Sequence, residues 1–272
     1  MKYNVKITSL MILLFIVTQL IGLYVVNYYV VPHAGVVQDL PYNIEKPQFE
    51  EQTSFIPLTI AILIASALAL LLIKFRANNL WKTWFFIGIS FSLLITFSVF
   101  INKLNLPSYI ALIFAVVLAG LKVFKPNVYL HNLGEIFMYG GLASIFVPVL
   151  NLFSISVLLI IISIYDMIAV WKTKHMVKLA KYQSKIQIFA GLLIPTGKGK
   201  SAILGGGDIG FTLLFAGTIL KISTYLNALI TVLFISIALG ILLLFAEKKK
   251  FYPAMPFLSA GCFIGYFVSL LI

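Results

Sequence analysis

The chain has 272 residues, of which 61% are apolar and only 10% charged, and its mean hydropathy is +1.07. An average soluble domain carries roughly 45–50% apolar and about 25% charged residues, so a soluble globular enzyme and a disordered tail are both excluded: neither keeps this much apolar surface out of water. A net charge of +12 would suggest nucleic-acid binding in a soluble chain, but the lysines here lie in short loops between apolar runs, the pattern of membrane orientation.

A spanning helix takes about 20 mostly apolar residues, and runs of that length bounded by charge, Asn, Pro or Gly predict an all-α membrane protein of nine transmembrane helices. The first, at 7–31, follows Lys2 and Lys6. Its apolar stretch is longer than a typical signal-peptide core and no small-x-small cleavage site follows it, so a retained anchor is expected. After it comes the one sizeable external loop, with Asp39, Glu45, Glu50 and Glu51. The remaining spans are expected at 55–73, 80–101, 106–123, 133–150, 152–171, 203–220, 225–246 and 253–272. Tyr24, Tyr28, Tyr29, Trp81, Trp84 and Trp171 fall near span ends and read as interfacial belt residues.

With the N-terminus cytoplasmic, the inside segments hold 17 Lys and Arg residues and the outside segments only Lys46, Lys103 and Lys221. The positive-inside rule therefore predicts N-terminus cytoplasmic and C-terminus external. The expected organisation is an N-terminal bundle of five spans over 1–150 and a second half over 151–272 with four more, including a cytoplasmic-side loop at 172–201. Cys262 lies alone in an apolar run, so no intramolecular disulfide can form.

Three acids need an explanation: Glu135, Asp166 and Asp208. An ionisable side chain within a span costs about 2.5–3.5 kcal/mol on insertion scales and is a functional residue by default. Asp166 lies near the inside end of the sixth span and Asp208 near the inside start of the seventh, each roughly 7–8 Å deep by helix rise. Two carboxylates at one level on consecutive antiparallel helices can meet. Such a pair shares a proton and holds an acid and a base together. The ionised member can take a proton from a water attacking an amide carbon, and the protonated member can polarise the carbonyl or protonate the leaving nitrogen. The same two groups could instead bind or relay ions in a cation or proton transporter or leak. Glu135, beside His131, Asn132 and Gly134, reads as an interfacial residue in reach of headgroup water or a lysine.

Tyr165-Asp166 late in the sixth span, the G-x-G-D motif of Gly205, Gly206, Gly207 and Asp208, and Pro253-Ala254-Met255 at the opening of the ninth resemble the presenilin and signal peptide peptidase family of intramembrane aspartyl proteases. The resemblance is specific mainly from Leu152 onward, and the layout is most similar to microbial single-chain presenilin homologues. It implies that Asp166 and Asp208 form the catalytic pair, that Tyr165 supports the first, that the glycines shape the second, and that Pro253 and Ala254 line the substrate cleft. Met255 stands where the family usually has Leu, a swap of little volume. The resemblance also implies hydrolysis of a single spanning helix or a signal-peptide-like segment, without metal or organic cofactor. Orientation places the chain with presenilins rather than signal peptide peptidases. The plasma membrane of a microbe is the expected location, the lipid bilayer the expected surroundings, and a homo-oligomer is left open; no nucleic-acid partner is expected.

Within the loop, 172–185 has the pattern of an interfacial amphipathic helix, and 186–195 is apolar yet too short to span. That second stretch reads either as a tether at the lipid surface or as a mobile gate able to pair with a substrate strand. Other protease chemistries lack their parts. No H-E-x-x-H motif occurs, and His33, His131 and His175 are scattered over loop or interface positions. A G-x-G-D peptidase of the prepilin type would have fewer spans.

Overall fold

The computed structural model describes residues 4–32, 36–75, 77–125, 127–173, 189–197, 200–246 and 252–272. Among these residues the chain forms α1 (Val5–Val30), α2 (Phe55–Lys74), α3 (Asn78–Lys103), α4 (Tyr109–Phe124), α5 (Val128–Phe146), α6 (Leu152–Met167), strands β1 (Gly191–Gly197) and β2 (Lys200–Gly205), α7 (Gly206–Ile222), α8 (Tyr225–Phe245) and α9 (Met255–Ser269). Among the described residues six helical stretches are long and apolar enough to cross a membrane: α1, α2, α3, α5 with its 3-10 extension to Val149, α6 with its continuation to Lys172, and α8. Helices α4 and α9 are shorter apolar helices.

Local signals set the helix starts. Asn127 accepts from the N–H of Tyr129 at 2.8 Å and so opens α5 five residues before the apolar run begins. Asn151 opens α6 by accepting from Ser154 N–H at 2.8 Å. The expected span at 203–220 begins differently, because residues up to Gly205 belong to β2 and the helix opens at Gly206. The reason is period: Ala202 and Leu204 are buried while Ser201 and Ile203 are exposed, an alternation that a strand serves and a helix does not.

Helix α1 runs through the middle of the bundle, packed against α5, α7, α8 and β1. Lipid offers no hydrophobic drive for helix association, so close approach and polar pairs hold the bundle. Gln19, with no exposure, donates to Ile209 O at 3.1 Å and to Thr212 Oγ1 at 2.8 Å, tying α1 to α7. Helix α9 lies on α8 through Gly261 and Gly265, where an added Cβ would come within 3.0 Å of Phe234 O and 2.8 Å of Thr231 Cα. Ser163 and Ser259 share a hydrogen bond of 2.9 Å between α6 and α9. Helix α2 sits at the periphery against α6 and α3.

β1 and β2 pair antiparallel, from Gly191 opposite Gly205 to Gly197 opposite Lys200. Gly191 has φ +136°, and a Cβ there would meet Leu204 O at 2.1 Å, so only glycine fits the start of this hairpin. The amphipathic helix expected at 172–185 and the opening of the apolar stretch at 186–188 lie outside the described residues, save 172–173.

Candidate active site

Asp166 is the second-last residue of α6, and the chain continues past Met167 as a π-helical turn over Ile168–Lys172. Such turns are frequent at functional sites. The Oδ2 atom of Asp166 accepts from the backbone N–H of Met255 at 3.1 Å. This donor is available because a helix start leaves its first N–H groups without intrahelical partners. Pro256 occupies the next helical position, where a missing N–H costs nothing.

Asp208 is the third residue of α7, whose N-cap is Gly205. Its carboxylate turns back toward the N-cap residue Gly205. An anion in the first helical turn is also favoured by the helix dipole. Asp208 lies within electrostatic reach of Asp166. Helix α6 packs against α7, and α9 packs against both. The end of α6 and the starts of α7 and α9 thus gather Asp166, Asp208, the 205–207 glycines and 253–255 in one place.

Both carboxylates are half-buried, as is Tyr165 beside the first; Pro253 and Met255 are buried and Ala254 half-buried. The three glycines are not equivalent. An added Cβ at Gly205 would sit 3.2 Å from Asp208 Oδ2, and one at Gly206 would sit 2.7 Å from the Tyr139 hydroxyl and 2.9 Å from Ala190 Cβ. At Gly207 it would touch only the Phe211 ring, from 3.5 Å. The tightest steric demand therefore falls on the middle glycine.

Strand β1, the partner of the strand that leads into the site, is held from α5. Asn132 donates to Leu193 O at 2.7 Å and accepts from Leu193 N–H at 2.9 Å, while Glu135 accepts from Gly191 N–H at 2.7 Å. Glu135 also accepts from the Tyr139 hydroxyl and pairs with Lys122 of α4. The sequence-based expectation for Glu135 is corrected here in one respect: a lysine is its partner, but the carboxylate is fully buried rather than at the headgroups. Lys122 is buried too, at 3% exposure, so the pair can exist away from water. A signal for this cluster was present, since 131, 132, 135 and 139 fall on one face of an otherwise apolar helix. Among the described residues no group of three His, Cys, Asp or Glu side chains is placed to hold a metal ion.

With this geometry in place, comparison with known proteins defines the class. Residues 12–272 match the family described as signal-peptide peptidase, presenilin aspartyl protease. Among solved structures, a presenilin family intramembrane aspartate protease in space group C222 is similar, with a TM-score of 0.67 and 20% identity over 97% of this chain and 98% of that one. A structure of a presenilin family intramembrane aspartate protease in space group P2 is similar with a TM-score of 0.65 and 20% identity, over 96% of each chain. No curated protein sequence matches. The chain belongs to the signal-peptide peptidase and presenilin aspartyl protease family, and it is an intramembrane aspartic endopeptidase. The transport reading of the two carboxylates gains no support from these relationships.

Proposed function

We propose that Asp166 and Asp208 are the catalytic dyad that hydrolyses peptide bonds of a single spanning helix, or of a signal-peptide-like segment, close to the cytoplasmic face. What supports this reading is that Asp208, at the start of α7, lies within electrostatic reach of Asp166 at the end of α6, and that Asp166 is held there by the Met255 N–H at the start of α9. One carboxylate takes a proton from the attacking water while the other, protonated, polarises the scissile carbonyl and then protonates the leaving nitrogen. The 205–207 glycines shape the approach to Asp208. Pro253, Ala254 and Met255 line the substrate side of Asp166, and Tyr165 supports that aspartate.

A helical amide is shielded by its own hydrogen bonds, so the substrate has to unwind before attack. Support for a receiving surface comes from the hairpin: it is two-stranded, so among the described residues β2 has a strand neighbour on one edge alone. The other edge can take an extended substrate segment by strand addition.

The nine-span layout, with the N-terminus cytoplasmic and the C-terminus external, is part of the same proposal. Nine α-helices among the described residues and the bias of 17 cationic residues to three support it. So is residence in the plasma membrane of a microbe, in keeping with a compact chain of this layout.

The test is cleavage of a labelled single-span peptide by the purified protein in liposomes, with Asp166→Asn and Asp208→Asn beside wild type. Loss of cleavage in both folded variants is the expected result. Cleavage at the wild-type rate by either would remove that residue from the dyad.

A further inference from the structure

Glu135 is a fully buried carboxylate for which the two-aspartate chemistry has no use. Burying a carboxylate and an ammonium costs several kcal/mol per ion, and a well-packed apolar pair of similar volume is often equal or better for stability. What an apolar side chain cannot do at this position is accept a hydrogen bond. Glu135 accepts two besides its pairing with Lys122: one from Gly191 N–H at 2.7 Å, the other from the Tyr139 hydroxyl.

Both acceptances bear on the site. Gly191 opens β1, and its carbonyl is met by His131 Nε2 at 2.8 Å, so both backbone groups of Gly191 are held by α5 side chains. Asn132 does the same for Leu193. Side chains at 131, 132 and 135 thus stand where a third strand would pair. One residue before Gly191, Ala190 O accepts from Gly206 N–H at 3.0 Å. At the Cβ position of Gly206 the Tyr139 hydroxyl stands beside Ala190, with the Tyr139 ring 3.7 Å from the Cβ position of Gly210. Gly206 is therefore packed against both Tyr139 and Ala190, the residue that precedes β1. Glu135 bonds Tyr139 and the first residue of β1, and Asp208 follows Gly206 by two residues.

We propose that Glu135, neutralised by Lys122, is a positioning residue for peptide-bond cleavage: it fixes the start of β1 and the Tyr139 hydroxyl, and through them the turn that carries Asp208. The proposal rests on the reading of Asp166 and Asp208 as the dyad. It differs from a simple clip between α4 and α5, which would affect stability and leave turnover alone.

The experiment measures kcat and KM for a labelled single-span peptide in liposomes, together with thermal midpoints, for wild type and two paired variants. Lys122→Met with Glu135→Leu removes both charges, leaving no orphan ion, and removes the acceptor. Lys122→Met with Glu135→Gln removes the charges and keeps a carbonyl acceptor for Gly191 N–H. With the thermal midpoint held, the Leu pair should lose about 100-fold in kcat with KM changed less than about 3-fold, the scale of a small misplacement of a catalytic group. The Gln pair should recover to within about 5-fold of wild type. Wild-type kcat in the Leu pair overturns the proposal, as does a Gln pair as slow as the Leu pair.

If the paired variants do not fold, Tyr139→Phe decides the matter. It removes the hydroxyl that Glu135 holds against Gly206 without touching a charge, and kcat should fall about 10-fold at constant KM; an unchanged kcat overturns the proposal. Asp166→Asn, run alongside, tests the dyad separately. Full activity in that variant refutes the dyad reading, and the proposal that rests on it, whatever the Glu135 variants do.

Discussion

Asp166 Oδ2 accepts the backbone N–H of Met255 at 3.1 Å, so the carboxylate at the end of α6 caps the start of α9. This one contact joins the Tyr-Asp and Pro-Ala-Met motifs, which lie 89 positions apart at Asp166 and Met255. It also separates two tasks of the carboxylate, a capping one that an amide can perform and a chemical one that it cannot.

Asp166→Asn should therefore fold like wild type, because its amide oxygen still accepts from Met255, while cleavage falls by at least about 100-fold with the loss of an acid–base group. Asp166→Ala should lose the same activity and about 1 kcal/mol of stability besides, the usual worth of a helix cap. Thermal unfolding of the two variants in detergent checks the difference. Equal midpoints would mean that the cap contributes nothing.

Gly206→Ala should be the most damaging of the three glycine substitutions, since its Cβ would meet the Tyr139 hydroxyl at 2.7 Å and Ala190 Cβ at 2.9 Å. A clash of this kind typically costs about 1–3 kcal/mol, and displacement of the turn should lower kcat by about 10-fold or more. Gly207→Ala meets only the Phe211 ring, and should remain closer to wild type in both thermal midpoint and cleavage rate. The reverse order would contradict the packing described for the turn.

Cleavage should follow a bell-shaped pH profile. Two neighbouring carboxylates titrate as a pair, and only the singly protonated form has an acid and a base together. Activity then falls at low pH, where both carboxyls are protonated, and at high pH, where both are ionised. Initial rates from about pH 4 to about pH 9 in sealed vesicles of fixed composition would show it; a flat profile would count against proton sharing.

Lys221 closes the opposite end of α7. It donates to Pro148 O and to Glu51 Oε1, each at 2.8 Å, and to Leu150 O at 3.1 Å. The Glu51 side chain is 49% exposed, so water screens the ion pair, and Glu51→Gln should cost less than about 1 kcal/mol. Lys221→Met should cost about 1–3 kcal/mol, because two carbonyls lose their donor, with kcat unchanged. Thermal midpoints and kcat measured together would distinguish this lock from the active site.

Substituting Met255 by Leu should leave stability within about 1.5 kcal/mol, as volume-conserving apolar swaps do. The hydrogen bond to Asp166 comes from the backbone and survives the change. Rates on two peptides that differ in one apolar side chain near the cut would show whether the thioether sets preference.

Much of this protein was legible in the chain itself. The nine apolar runs recur as nine α-helices among the described residues, six of them in stretches long and apolar enough to cross a membrane, because length, apolar composition and backbone self-satisfaction are local properties. The G-x-G-D and Tyr-Asp motifs were legible for a similar reason: a carboxylate in an apolar run has few innocent explanations. Helix α7 starts three residues past the expected 203 because the apolar letters of 203–204 suit either period, and only pairing with β1 selects the strand.

What sequence alone determined is the solvent, the class of fold and the residue types available for chemistry, since all three follow from composition and local pattern. Tertiary structure decided who meets whom. The contact between Asp166 and Met255 depends on α9 folding back along α6, and the burial of Glu135 with Lys122 depends on α4 and α5 packing side by side. Distances between residues far apart in the chain are set by helix packing, which in lipid turns on small residues and polar contacts whose partners no single segment can name.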